Sequence, residues 1–195
     1  MSDRSLSPAW LASWTDRVSG ILTAMTGEFE YRHGFPPGTN QVRPADHDDQ
    51  AAARTLAQVT PTTADLVTFY ECIGDVTWAD VGNGHFLDPA GDVLLRLQEY
   101  GVVDVGTDRK AQGLVIGSNG GGLIYVAGPD GTVYRTRTAS LDEPELDKVA
   151  DDLRQFLELL ERSLTRFKTD CDPGYLQAQA PAPILLEAVL FPNFV

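Results

Sequence analysis

Apolar residues recur at helical spacing near the start of the chain. Trp10, Trp14, Val18, Ile21, Leu22 and Met25 fall on one face of "SPAWLASWTDRVSGILTAMTG". Ser7 suits an N-cap, Pro8 suits a first turn, and Gly27 is a natural stop. The tryptophans read as anchors of a buried stripe rather than as a ligand platform. The alternation in "EFEYR" then predicts a short strand. "GFPPGTN" can continue neither a helix nor a central strand. A polar helix is predicted from Asp46-His47-Asp48-Asp49 through "QAAARTLAQV", with aspartates where the helix dipole favours negative charge. "TPTTADLVTFYECIG" predicts another helix, capped by Thr60 or Thr62 and ended by Gly74. Leu66, Phe69, Tyr70 and Ile73 form its apolar face.

The pattern changes at "DVTWADVGNGHFLDPAGDVL". There Val76, Trp78 and Val81 suggest strands punctuated by Gly82-Asn83-Gly84 and Asp88-Pro89. "VLLRLQEYG" reads as a short helix ending at Gly101, with a strand as the alternative. Leu114 to Ile116, Leu123 to Val126 and Val133-Tyr134 mark three strands, the last two joined by the turn "GPDGT". "LDEPELDKVADDLRQFLELLERSLTRF" predicts a long amphipathic helix carrying Leu146, Val149, Leu153, Phe156, Leu157, Leu160 and Leu164. Asp170 to Pro173 breaks it. The tail "YLQAQAPAPILLEAVLFPNFV" holds an apolar run whose exposure costs roughly 1.5–3 kcal/mol per large side chain, so docking is expected.

This order predicts a single α+β domain, an antiparallel or mixed sheet flanked by helices. Residues 1–34 are expected to form an N-terminal helix and short strand packed on the body. Residues 35–170 are expected to form the main domain, and 171–195 an extended tail docked on it.

Composition narrows the function. A chain of 195 residues can bury one sizeable core. Its net charge of -13 disfavours nucleic acid and anionic membranes and favours cationic partners, besides serving solubility. Cys72 and Cys171 lie in no metal-binding spacing, and Cys72 is expected to be a buried, inert thiol. The N-terminus lacks signal-peptide features, and no run approaches the roughly 20 apolar residues of a membrane span. A cytoplasmic location is expected.

"GLVIGSNGGGLIYV" raises the question of phosphate binding. A P-loop needs a lysine after its last glycine, and a dinucleotide fingerprint must open a helix. Gly120 to Gly122 lead instead into the strand-like "LIYV", so they read as a turn. His47 with Asp46, Asp48 and Asp49 makes an awkward metal set, because adjacent helical side chains diverge. None of His33, His47 and His85 accompanies a nucleophile elbow. His85, near Asp80 and Asp88, reads as a paired surface histidine. No catalytic residue, cofactor or metal is expected.

"FPPGT", "PTTADLVTFYECIG", "WADVGNGHFLDP", "LVIGSNGGGLIYVAGPDGTVYR" and "VADDLRQFLELL", in that order, resemble the SUKH superfamily from about Phe35 to Phe167. Leu123 stands where many members carry an acidic residue, and Thr60-Pro61 replaces a leading Leu-Pro. The resemblance implies a non-enzymatic α+β module. It further implies an immunity protein that binds a toxin, such toxins often being nucleases with basic clefts. A scaffold or regulatory module binding endogenous proteins is the alternative. An enzyme would require a deep pocket where His85 meets carboxylates. Two stretches are candidate partner-binding surfaces: Asp46, Asp48 and Asp49, and the bend holding Asp80, Asn83, His85 and Asp88.

Overall fold

The computed structural model describes residues 5–106 and 110–170. Helix α1 (Pro8–His33) starts at Ser7, whose hydroxyl accepts from the Trp10 N–H at 3.3 Å. It ends at Gly34, in the left-handed region at φ 80°. Gly27 does not stop it, and "EFEYR" forms its last turns rather than a strand. The reason is tertiary. Leu22, Met25 and Phe29 extend the buried stripe of Leu11, Trp14 and Val18, and that burial outweighs local alternation. Trp10 and Ile21 flank the stripe, half-buried.

Strand β1 (Asn40–Pro44) leads to α2 (His47–Leu56) and α3 (Ala64–Cys72). The α3 cap is Thr63, one residue beyond Thr62, because Thr62 N–H closes a turn onto Val59 O at 2.9 Å. Gly74 does not end α3 in a loop. The helix runs directly into β2 (Ile73–Trp78), where a Cβ at Gly74 would strike the Arg43 guanidinium. Cys72 is half-buried, and burial, with Glu71, raises its thiol pKa.

Strand β3 (His85–Leu87) is followed by α4 (Ala90–Tyr100), which closes at Gly101 as predicted. Then come β4 (Val103–Val105), β5 (Ala111–Asn119), β6 (Ile124–Ala127), β7 (Val133–Thr136), β8 (Leu146–Ala150) and α5 (Leu153–Asp170). The sheet order is β1-β2-β3-β5-β6-β7-β8, with β4 also on β5, and every pairing is antiparallel. The protein is thus a single α+β domain. Leu146 and Val149 lie on β8, not on the final helix. Their spacing suits a helix, but a ladder on β7 satisfies backbone groups that β7 would otherwise leave unpaired. Leu153, Phe156, Leu157, Leu160 and Leu164 do form the buried face of α5.

Alternation along the strands separates two clusters. Leu114, Ile116, Tyr125 and Ala127 join the main core with the helices. Val115 and Val126 join Val103 and Val105 in a smaller cluster. Helices α1 and α5 run side by side in the same direction. Trp14 Nε1 donates to Leu157 O at 3.2 Å, Arg17 binds Glu161, and Arg32 reaches Lys168 O. No helix among the described residues is long and apolar enough to cross a membrane. The tail 171–195, with Cys171, lies outside the described residues.

Candidate functional site

The glycine run is a corner between β5 and β6. Asn119 Oδ1 accepts from Gly121 N–H at 3.0 Å and Leu123 N–H at 2.9 Å, and Gly122 takes φ 83°. A Cβ on Gly120 would collide with the backbone oxygen of Asn83, so this glycine lets the 79–84 bend lie against the corner. The amides here serve the turn, and the strand that follows provides no helix N-terminus for a phosphate.

The first candidate stretch forms a rigid acidic corner. Asp46 caps α2 by accepting from Asp48 and Asp49 N–H, both at 2.9 Å. Asp49 returns the contact, accepting from Asp46 N–H at 3.0 Å, which completes a capping box. The side chain of Asp49 is held by Arg43, which also binds Asp75 across the β1–β2 pair. The Arg43 hydrogen bond holds the Asp49 carboxyl below the usual carboxylate range, against the effect of burial. Asp49 is only 9% exposed, so it is a foundation of the corner rather than a contact. Asp46 and Asp48 face water, with side chains 65% and 102% exposed. Four aspartates against one arginine leave this corner acidic after pairing.

The bend residues lie elsewhere. Asn40 pairs with Trp78 at one end of the β1–β2 ladder, and Pro44 pairs with Ile73 at the other. Asp80, Asn83 and His85 gather at the first end, the acidic corner at the second. Asp80 Oδ2 accepts from Gly38 N–H at 2.7 Å and from Asn40 Nδ2 at 2.6 Å, tying the bend to the loop before β1. Asn83 is exposed at the tip.

His85 is not a surface histidine paired with aspartates. It is 8% exposed, and its Nδ1 lies 2.9 Å from the Tyr125 hydroxyl. Burial, with help from the Arg135 charge, pulls its pKa down to about 4, so the ring is neutral. Trp78 and Tyr125 enclose it. It therefore cannot contact a partner directly. Asp88 is also largely enclosed. Arg96 Nε approaches Asp88 Oδ2 at 3.0 Å, yet burial keeps the carboxyl pKa raised. The hydroxyl of Tyr70, close enough to feel the Asp88 charge, has no hydrogen-bond partner among the described residues.

The sequence reading missed a groove of about 580 Å³ between the end of β4 and the β7–β8 pair. Tyr134 and Leu146 give it an apolar floor, while Asp104, Arg137 and Lys148 stand around it. Arg137 is neutralised by Glu145 and Asp147, and Lys148 by Asp151. The missed signal was the strand period of Leu146 and Lys148 opposite β7, obscured by the helical spacing of Leu146 and Val149. Among the described residues, no group of three His, Cys, Asp or Glu side chains could hold a metal. Of the corner's aspartates, Asp46 serves the cap and Asp49 and Asp75 are held by Arg43.

Architecture and surface together define an α+β domain with an acidic corner built on its first strand pair. No protein-family description, curated protein or solved structure matches the chain.

Proposed function

We propose that this protein is a non-enzymatic, SUKH-like binding module acting as an immunity protein. It covers a basic region of a cognate toxin, of which a nuclease cleft is the natural type. The observation that carries the reading is the acidic corner. Asp46 and Asp48 are presented by a helix start whose geometry the capping box and the Arg43 clamp have already fixed. Charges held in place before encounter lose little freedom on binding. A net charge of -13 adds long-range attraction to a cationic partner. The order of motifs from "FPPGT" to "VADDLRQFLELL" lends the reading its family context.

The test is co-expression of the full chain with toxin-like products encoded beside its gene. Protection of the cells and a complex that co-purifies are expected. Cells that die alongside well-expressed protein, with no complex for any such product, would count against the reading. They would favour a scaffold binding endogenous proteins.

A further inference from the structure

The half-buried arginines of this protein, among the described residues, are Arg43, Arg96, Arg135 and Arg154. Three have a carboxylate partner: Arg43 has Asp49 and Asp75, Arg96 has Asp88, and Arg154 has Glu158. Arg135 has none. Its Nε is buried without a hydrogen-bond partner, and among the described residues no hydrogen bond or ion pair engages the guanidinium. In a chain with 28 acidic residues and 15 basic ones, this is the reverse of what chance pairing would give. Enclosing that one nitrogen without a partner costs free energy, while the two terminal nitrogens, which are not enclosed, stay open to contact.

The surroundings explain why no internal carboxylate answers it. Arg135 lies opposite Tyr125 on one side and Asp147 on the other. Tyr125 is engaged with His85, and Asp147 is held by Arg137 at 2.8 Å. Opposed residues share a face, so Arg135 stands on the side where Tyr125 meets Phe156 of α5. With its strand neighbours already committed and its Nε enclosed, Arg135 keeps its two terminal nitrogens for a planar bidentate acceptor.

We propose that Arg135 anchors a carboxylate-binding site that receives an aspartate or glutamate side chain of the bound protein. This rests on the protein-binding reading and adds a contact of inverted charge: general attraction draws in a basic partner, and one carboxylate on that partner sets the register. A monoanionic carboxylate suits the site better than a phosphate dianion, which the -13 field repels more strongly.

The test needs no partner, so its failure is distinguishable from failure of the immunity reading. Arginine Nε–Hε signals of the ¹⁵N-labelled full chain are followed while sodium acetate replaces sodium chloride at constant ionic strength. The Arg135 signal should move to saturation in the millimolar range, while Arg137, already bound by carboxylates, stays in place. Sodium phosphate at matched ionic strength should produce a weaker response. Arg135→Gln should abolish the saturable shift at the Tyr125 and His85 signals. A linear drift of Arg135 matching that of exposed Arg54, or a neighbour shift that survives in Arg135→Gln, would overturn the site. A stronger response to phosphate would overturn the carboxylate assignment. The acetate titration of the native chain decides the matter even where the variant fails to fold.

Discussion

Substituting Gly120 with alanine tests whether the glycine run is built for packing. A Cβ there meets the backbone oxygen of Asn83 at a distance no real Cβ tolerates, so the 79–84 bend or the β5–β6 corner must shift. Backbone cannot rotate aside as a flexible side chain can. The displacement also strains the bend that holds Asp80 against Gly38 and Asn40. Forced overpacking of this kind costs about 1–3 kcal/mol. Gly121→Ala meets side-chain atoms alone, the nearest being the Asn119 amide oxygen at 3.3 Å, and should cost less. Gly20→Ala, inside α1 with nothing within 4 Å, should stabilise by roughly 0.5–1 kcal/mol through helix propensity alone. The assay is urea unfolding of the three variants, read as a change of midpoint at constant slope. A Gly120→Ala midpoint equal to the native one would refute the packing argument, as would equal losses at Gly120 and Gly20.

Two further outcomes follow from buried polar groups. Trp14→Phe should be more destabilising than Trp78→Phe by about 1 kcal/mol in the same assay. Trp14 Nε1 donates to Leu157 O, whereas Trp78 Nε1 is buried with no acceptor among the described residues. Equal losses would contradict this. His85 should make stability depend on pH. Its folded pKa of about 4 lies below the ordinary 6.5, so between those values the unfolded chain holds the extra proton. Stability is then full above 6.5 and falls as pH drops towards 4, by up to about 3 kcal/mol from this group. Asp88 works the other way, since its raised pKa makes protonation easier in the folded state. His85→Gln should flatten the slope in that window, and an unchanged slope would exclude the mechanism.

Much of the fold was legible where local chemistry and packing agree. Ser7, Gly101 and the "GPDGT" turn mark real boundaries because caps and turns are short-range devices. The β5–β6 corner was readable as a turn because no lysine or helix follows it. The errors arose where a distant contact decided. The "EFEYR" segment alternates, but Phe29 completes the α1 stripe. The segment holding Leu146 and Val149 has helical spacing, but β7 offers it a ladder. Acidic residues at the start of α2 were visible, yet their division into exposed Asp46 and Asp48 and buried Asp49 depends on Arg43 and Asp75 across a strand pair. His85 was misplaced for the same reason. Its enclosure comes from Trp78 and Tyr125, the latter 40 residues away in sequence.

The most direct measurement is the association rate of the protein with a toxin captured by the co-expression test, as ionic strength is varied. The informative variant combines Asp46→Ser with Asp48→Asn. Serine retains the capping oxygen while both exposed charges are removed, and Asp49 stays on Arg43. The account predicts slower association at low salt, a flatter salt dependence, convergence with the native rate at high salt, and little change in dissociation. Native and variant rates that coincide at low salt would contradict the claim that this corner steers the partner.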